Sequence, residues 1–447
     1  MGSFPSTLTS VPLYWPKAEF SLFVLGQILS IPCYFFVAYH IIFEKSARKA
    51  LHNHVIIILL FYNFLGVTFD LSLTLDRDRV GYVSLFSPTL CRFWQLVDNG
   101  IWYGAHSLFL NQTTYPVGVM SWSVAVIGVN NDNTPDIIVA NFDSNNVGIL
   151  LNAGNGTFSA QTTYSVGTNP SSAAVADVNS DNKPDIIVTN SGSNNIGVLL
   201  NTGNDTFNAQ TTYSVGTDPW SVSVIDVNSD NKPDIIVANY GSNTVSVLLN
   251  TGSGTFNAQT TYLVSYHPIS VAVVDVNNDN KPDIIVANFD SNNIGILLNT
   301  GSGTFSTQTT YSVGTNPSSA AVADVNSDNK PDIIIANYGS NTVDVLLNTG
   351  SGTFNAQTAY SVGINPISVA VADVNSDNKS DIIVANYGSN NVGVLLNAGN
   401  GTFNAQITYS VSSNPVSVVV ADVNNDSKPD IIVANSGSNN VGVLLNY

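Results

Sequence analysis

What most constrains this chain is a period. The aspartate of an Asp-Ile-Ile motif stands at Asp136, Asp185, Asp234, Asp283, Asp332, Asp381 and Asp430, a step of 49 residues each time. A tyrosine keeps the same step from Tyr115 to Tyr409, and a phenylalanine from Phe109 to Phe403. Repetition on this scale means that one supersecondary unit is stacked on copies of itself. Each unit reads as four short strands separated by turn signals, with no helical period. In the second unit these are Ser171–Val178, Asp185–Asn190, Asn195–Asn201 and Thr206–Gly216. Four strands per unit predict a propeller blade, whereas a solenoid would need capping repeats. The last unit stops after its third strand, at Tyr447, and a matching fourth strand stands at the front, Phe109–Gly118. The expected fold is therefore an all-β seven-bladed propeller over residues 109–447, with four antiparallel strands per blade. Pairing of Gln112–Val117 with Val441–Asn446 would close it and leave no sheet edge open.

The residues ahead of the repeats have another composition. Residues 1–108 carry seven Lys/Arg, six Asp/Glu and both cysteines, Cys33 and Cys91. Residues 20–43 and 55–75 are apolar runs long enough to cross a bilayer as helices at about 1.5 Å per residue. The first lacks a basic leader and exceeds a signal-peptide core, so a retained helix is expected. Between the runs lie Lys45, Arg48 and Lys49, which predict a cytoplasmic loop. A third segment, 90–108, is interrupted by Arg92, Asp98 and His106. The expectation is a small α-helical transmembrane region with two spans, leaving the propeller outside the cell at the plasma membrane.

Residues 109–447 hold 25 Asp, six Lys, and no Glu or Arg. Such a surface repels nucleic acid and attracts cations. Much of the acid recurs in one loop, Asp-x-Asn-x-Asp-x-x-x-Asp. Positions one, three, five and nine are Asp177, Asn179, Asp181 and Asp185 in the second unit, then Asp226, Asn228, Asp230 and Asp234. The later copies are Asp275, Asn277, Asp279 and Asp283; Asp324, Asn326, Asp328 and Asp332; Asp373, Asn375, Asp377 and Asp381; and Asp422, Asn424, Asp426 and Asp430. Three carboxylates and an amide oxygen on a short loop, with no His or Cys, suit a hard cation that takes six to eight oxygens, Ca²⁺ before Mg²⁺ or Zn²⁺. Tight turns stabilised by Asp and Asn side chains account for the polarity as well. The first unit has Gly128 where the first Asp belongs, so its site is expected to be weak or empty.

The stretch "DVNSDNKPDIIVANYGSNTVSVLLNTGSGTF" resembles the FG-GAP/VCBS repeats of integrin α-subunit heads and many secreted proteins. That resemblance spans residues 109–447. It implies a seven-bladed propeller in an extracellular setting, calcium in the acidic hairpin loops, and adhesion or ligand binding on a rim. The family's loops usually place Gly at position six, where this chain has Asn182 or, in the last unit, Ser427. Residues 20–108 more weakly resemble the opening helices of a rhodopsin-like G-protein-coupled receptor. Asp70 matches its second-helix acid in type and place, and Cys91 matches its third-helix cysteine. The third-helix arginine motif and the later helices are missing.

The function expected from these features is a membrane-anchored, calcium-binding extracellular propeller for adhesion or ligand recognition, without catalysis. The alternative is a truncated or fused receptor fragment with a signalling role, to which the propeller is appended. The predicted partners are the membrane, through the N-terminal helices, and a protein or glycan on the propeller rim. Trp122, Trp220 and His267 lie just before first strands and are the rim candidates; His267, the repeats' only histidine, reads as a loop residue and not as a catalyst. Acceptor motifs for N-glycosylation stand at Asn111, Asn155, Asn204, Asn400 and Asn425.

Overall fold

The computed structural model describes residues 108–446 except Asn204. The chain divides into Met1–His106 and Ser107–Tyr447. The helices expected over 20–43 and 55–75, and the third segment but for its last residue, lie outside the described residues. Among the described residues no helix is long and apolar enough to cross a membrane.

Seven four-stranded antiparallel sheets form seven blades. Blade one comprises Ser121–Ile127, Asp136–Asn141, Asn146–Leu150 and Thr162–Ser165, from the innermost strand outwards. The innermost strand of each blade contacts that of the next, and the circle closes between Pro415–Ala421 and Ser121–Ile127. In blade seven the outer strand comes from the front of the chain. Thr113, Thr114, Tyr115 and Pro116 pair with Val443, Gly442, Val441 and Asn440. The expected closure is therefore present, and residues Phe109 and Asn446 extend it by one further bridge.

The second strand of every blade is buried along its whole length, Asp185–Asn190 being one case. Its Ile-Ile-Val run is covered on both faces by neighbouring blades, so it needs no polar alternation. β-branched side chains suit such a pleated, packed position, and each one fully buried contributes about 1.5–3 kcal/mol. The outer strand, Thr211–Ser214 in blade two, is mostly exposed and keeps one half-buried residue, Tyr213.

The two aromatic markers of the period meet between blades. Tyr164 packs edge-on against Phe207 of the next blade, with ring centroids 5.5 Å apart. Tyr115–Phe158 and Tyr409–Phe109 make the same contact on either side of the closure, at 5.4 and 5.3 Å. The Leu108 N–H also donates to the Tyr409 hydroxyl at 3.2 Å. The end of the third apolar segment thus belongs to the propeller.

The third and fourth strands are shorter than the sequence suggested. Asn195–Leu199 ends early, Asn201–Gly203 and Thr206–Phe207 form a separate small hairpin, and the outer strand is only Thr211–Ser214. The cause is Asn201. Its backbone N–H donates to Asp185 Oδ1 at 2.8 Å, and its side-chain amide donates to the Val129 carbonyl of the preceding blade at 2.9 Å. These bonds pull the chain off the sheet and tie two blades together. Asn152 makes the equivalent bond to the Val423 carbonyl across the closure, at 2.8 Å.

Candidate functional site

The two ends of the propeller are built from different loops. One carries the acidic loops and the small hairpins, and the other carries the turns that connect second to third strands and outer to innermost strands.

In the acidic loop of blade two, Asp177 Oδ2 accepts the Asn182 N–H at 2.7 Å and its Oδ1 accepts the Asp181 N–H at 3.1 Å. Asn179 Oδ1 also accepts the Asp181 N–H, at 3.0 Å, and Asp181 Oδ1 accepts the Lys183 N–H, at 3.0 Å. The backbone curls through two left-handed residues, Ser180 and Asn182, both at φ 62°. Sequence reasoning anticipated the turn at position six and missed the one at position four, where Ser or Asn gives little warning. The loops opening at Asp226, Asp275, Asp324, Asp373 and Asp422 repeat the bond from position one to the N–H of position six, at 2.7–2.8 Å.

Position nine is placed elsewhere. Asp185 is completely buried, and its two oxygens accept the N–H groups of Val178 and Asn201 at 3.0 and 2.8 Å. All seven blades keep this arrangement, including blade one, where Asp136 holds Val129 and Asn152, each at 2.8 Å. Burial pushes the carboxyls of Asp185, Asp234, Asp283, Asp381 and Asp430 up to about 6, against the backbone donors, and the nearby position-five and position-one acids add to the rise.

In the six loops that open with Asp, the part left within reach of solvent is thus positions one and three, half-buried, and position five, exposed: two carboxylates and an amide, all oxygen donors. Among the described residues no three Asp, Glu, His or Cys side chains converge as a ready metal-holding group. A carboxylate has about four lone-pair positions, so accepting backbone N–H groups leaves capacity for a cation. In kind, these donors fit Ca²⁺; in number they would need added carbonyl or water oxygens to reach six. Every lysine of the repeats stands at position seven. Five of them place Nζ 3.2–3.5 Å from the position-five carboxylate of their own loop. The loop of blade one differs. A Cβ on Gly128 would lie 2.8 Å from the Thr134 carbonyl, and Asp132 Oδ1 accepts both the Thr134 N–H and its hydroxyl.

The sequons at Asn155 and Asn400 are exposed on small hairpins, and Asn425 is exposed at position four of the last acidic loop. Asn111 is exposed ahead of the outer strand of blade seven, and Asn204 lies outside the described residues.

At the other end, the residue before each innermost strand adopts a left-handed conformation. It is Asn169, Asn316, Asn365 or Asn414 in four blades, at φ 51–54°, and Met120, Asp218 or His267 in three, at φ 52–56°. Asn tolerates that conformation well, whereas Met and His are strained in it. The departures gather with aromatic rings. Trp122 and Trp220, from blades one and three, meet with centroids 5.4 Å apart beside Ser171 of blade two. Trp220 contacts Tyr240 at 6.0 Å, and Tyr240 stacks on His267 at 4.2 Å and 6°. His267 Nδ1 lies 2.5 Å from Asp290 Oδ2. Trp122, Trp220 and His267 were legible as departures from the repeat; the partners Tyr240 and Asp290 were not, although their positions alternate among Tyr, Phe and Ser, and between Gly and Asp.

Six overlapping segments, 128–188, 177–237, 226–286, 275–335, 324–384 and 373–433, match the model of the FG-GAP-like repeat. By sequence, no curated protein matches the chain. Among solved structures, BBS1N in complex with ARL6DN is similar at TM-score 0.57 and 14% identity, over 76% of this chain and 98% of that one. Virginiamycin B lyase from Staphylococcus aureus is similar at TM-score 0.53 and 14% identity, over 75% of this chain and 99% of that one. At such identities the likeness is one of fold.

Proposed function

This chain belongs to the FG-GAP-like repeat family, and from that membership we propose that it is a non-catalytic recognition propeller displayed outside the cell. The observation that carries the reading is the unequal variation of the two ends. The acidic loops are nearly uniform, while the departures Met120, Trp122, Asp218, Trp220 and His267 fall at the turn end. Uniformity suits a structural task repeated in every blade, and strained, irregular residues suit a ligand. Among similar solved structures, BBS1N is in complex with ARL6DN, which is in keeping with a protein ligand for this fold. In this reading the apolar runs at 20–43 and 55–75 hold the chain in the plasma membrane.

Calcium would occupy the six loops that open with Asp, held by positions one, three and five. It would supply the positive charge that the position-seven ammonium supplies in its absence. The exposed sequons lie at the acidic-loop end or lead into an outer strand, so glycans there would leave the turn end bare.

The test is glycosidase and protease treatment of intact cells expressing the full chain. A glycosidase-sensitive mobility shift that shrinks in Asn155→Gln and Asn400→Gln variants is expected. Full protection until the cells are permeabilised would place the propeller inside and end the proposal.

A further inference from the structure

Blade five departs from its sisters inside the sheet. At the middle of the third strand five blades have glycine, Gly148, Gly197, Gly295, Gly393 and Gly442, and blade three has Ser246; blade five has Asp344. Asp344 is completely buried and pairs with Ile335 of the second strand and Ala359 of the outer strand. Its Oδ2 accepts the Gly314 N–H at 2.8 Å, and its Oδ1 accepts the Thr342 hydroxyl at 3.3 Å. Burial raises its pKa, against the donors Gly314, Asn337 and Thr342. Every lysine of the repeats stands in an acidic loop, and the repeats contain no arginine. The titratable groups on the surrounding elements are engaged elsewhere. Asp332, at the start of the second strand, accepts the N–H groups of Val325 and Asn348. The hydroxyls of Tyr311 and Tyr360 donate to the carbonyls of Gly352 and Gly401. Asp290 contacts His267 and the amide of Asn316.

What this position must do is set by the glutamine ahead of each outer strand. In the five glycine blades a Cβ would strike that glutamine's oxygen, as Gly148 would strike Gln161 Oε1. The oxygen accepts an asparagine amide at 3.3–3.4 Å in blades one, two and six. In blade three the Ser246 hydroxyl donates to Gln259 Oε1. In blades four and seven the amide nitrogen points the other way, donating to the Ser265 and Ser412 hydroxyls at 2.9 and 3.0 Å. The sister blades thus turn the glutamine oxygen inward. In blade five one arm of the Gln357 amide touches Asp344 Oδ2 and lies 3.3 Å from the Ser312 carbonyl. As nitrogen, that arm donates to both, and Asp344 is a carboxylate. As oxygen, the sister arrangement, it needs a donor, and only a protonated Asp344 can be one, in the place of the Ser246 hydroxyl.

We propose that Asp344 and Gln357 form a proton-operated latch: with a proton on Asp344 the glutamine oxygen faces inward, and loss of the proton turns the amide over so that its N–H groups hold Asp344 and the Ser312 carbonyl. Ser312 ends the outer strand of blade four. Ionisation therefore ties the outer strands of two blades, and acid releases the tie. The driving force is burial, since an interior carboxylate without a counter-charge is costly and a neutral, hydrogen-bonded carboxyl is far less so. The latch lies in the interior and stands apart from the recognition reading.

The chain supplies its own controls, because the sister blades show which residues the fold accepts. Asp344→Ser and Asp344→Gly each install a residue found there. Melting of the full chain and of both variants would be recorded in chelator from about pH 4, just above the ordinary aspartate value, to about pH 8. Folded Asp344 keeps its proton to higher pH than the unfolded chain does, so its stability is complete below the unfolded value and is lost as pH rises through the folded one. The native chain should lose melting temperature relative to both variants over this range, its folding constant falling by up to about tenfold per pH unit. Parallel curves would overturn the proposal. The amide is read separately, in full chain carrying isotope-labelled glutamine, with Gln357 identified by its absence from Gln357→Met. Its side-chain amide resonance should move over the same pH range in the native chain and stand still in Asp344→Ser. A resonance that stays fixed in the native chain, or moves equally in the variant, would overturn the latch and leave Asp344 a buried acid without a switch. Should a variant fail to fold, the titration of Gln357 in the native chain decides alone.

Discussion

The two ends of the propeller obey different rules. At the acidic end, seven buried aspartates each hold two backbone N–H groups, and an asparagine in each blade reaches the carbonyl of its neighbour. A change in one blade there breaks a bond on which the next depends, which favours uniformity. At the turn end the left-handed residue is also tied to the preceding blade, but through its backbone N–H, which donates to an asparagine side chain there, so the chain tolerates Met120, Asp218 and His267 in place of Asn. Both ends tie blade to blade, but at the acidic end the donor is a side chain that every blade must keep, whereas at the turn end it is a backbone N–H whose own side chain varies. Where the same fold position recurs seven times in one molecule, variation is itself a measurement of what the fold requires.

The sharpest way to break the contrast is calcium. For sites with Kd of about 1 mM, 10 mM Ca²⁺ should stabilise the fold by about 1.4 kcal/mol per loop. With six such loops calorimetry should record a large upward shift in melting temperature. No shift, against a chelator control, would remove the metal from the acidic end and leave Asx turns as the whole explanation. Next in size is Asp234→Ala. It strands two buried N–H groups, of Val227 and Asn250, and should cost about 2–6 kcal/mol in chemical denaturation. Trp220→Ile at the turn end should cost much less, and an equal loss would mean that both ends are structural.

The pH profile separates the ends further. The folded carboxyl of Asp185 lies at about 6, above the ordinary aspartate value of about 3.9. Between those values the folded chain holds protons that the unfolded chain has released. Without calcium, stability should therefore be greatest near pH 4 and fall as pH rises through 6. A melting temperature that climbs over this range would contradict the burial argument. The smallest expected effect is at His267→Asn, where relief of left-handed strain is offset by loss of the stack on Tyr240, so stability should change by less than about 1 kcal/mol in either direction.

The blades were legible in the sequence because a period of 49 residues leaves little choice, and the incomplete last unit revealed the closure. The second strand, Asp185–Asn190, was read to its residue because an acidic loop and a turn bound it. The outer strand was overestimated, since Thr206–Gly216 has strand-like composition throughout and nothing in it signals that Asn201 diverts the chain. Position nine of the loop carries the same residue type as positions one and five, so sequence could not separate a buried staple from an exposed oxygen. Trp122 and Trp220 meet across blade two, where the equivalent residue is the small Ser171, a relation created by the packing of successive blades about one axis and not by any local sequence signal.

Closure from opposite ends of the chain also sets the order of assembly. Thr113 is made long before its partner Val443, with all the other blades synthesised between them. Joining them closes a loop of more than three hundred residues, an entropic cost of about 5 kcal/mol that the last step must overcome. Until then the third strand of blade seven is a bare edge, and any outer strand of similar sequence could occupy it, including one from a second chain. Cells producing this protein therefore face a window in which early copies can trade strands. Phe109, buried against Tyr409, is the latch that ends it.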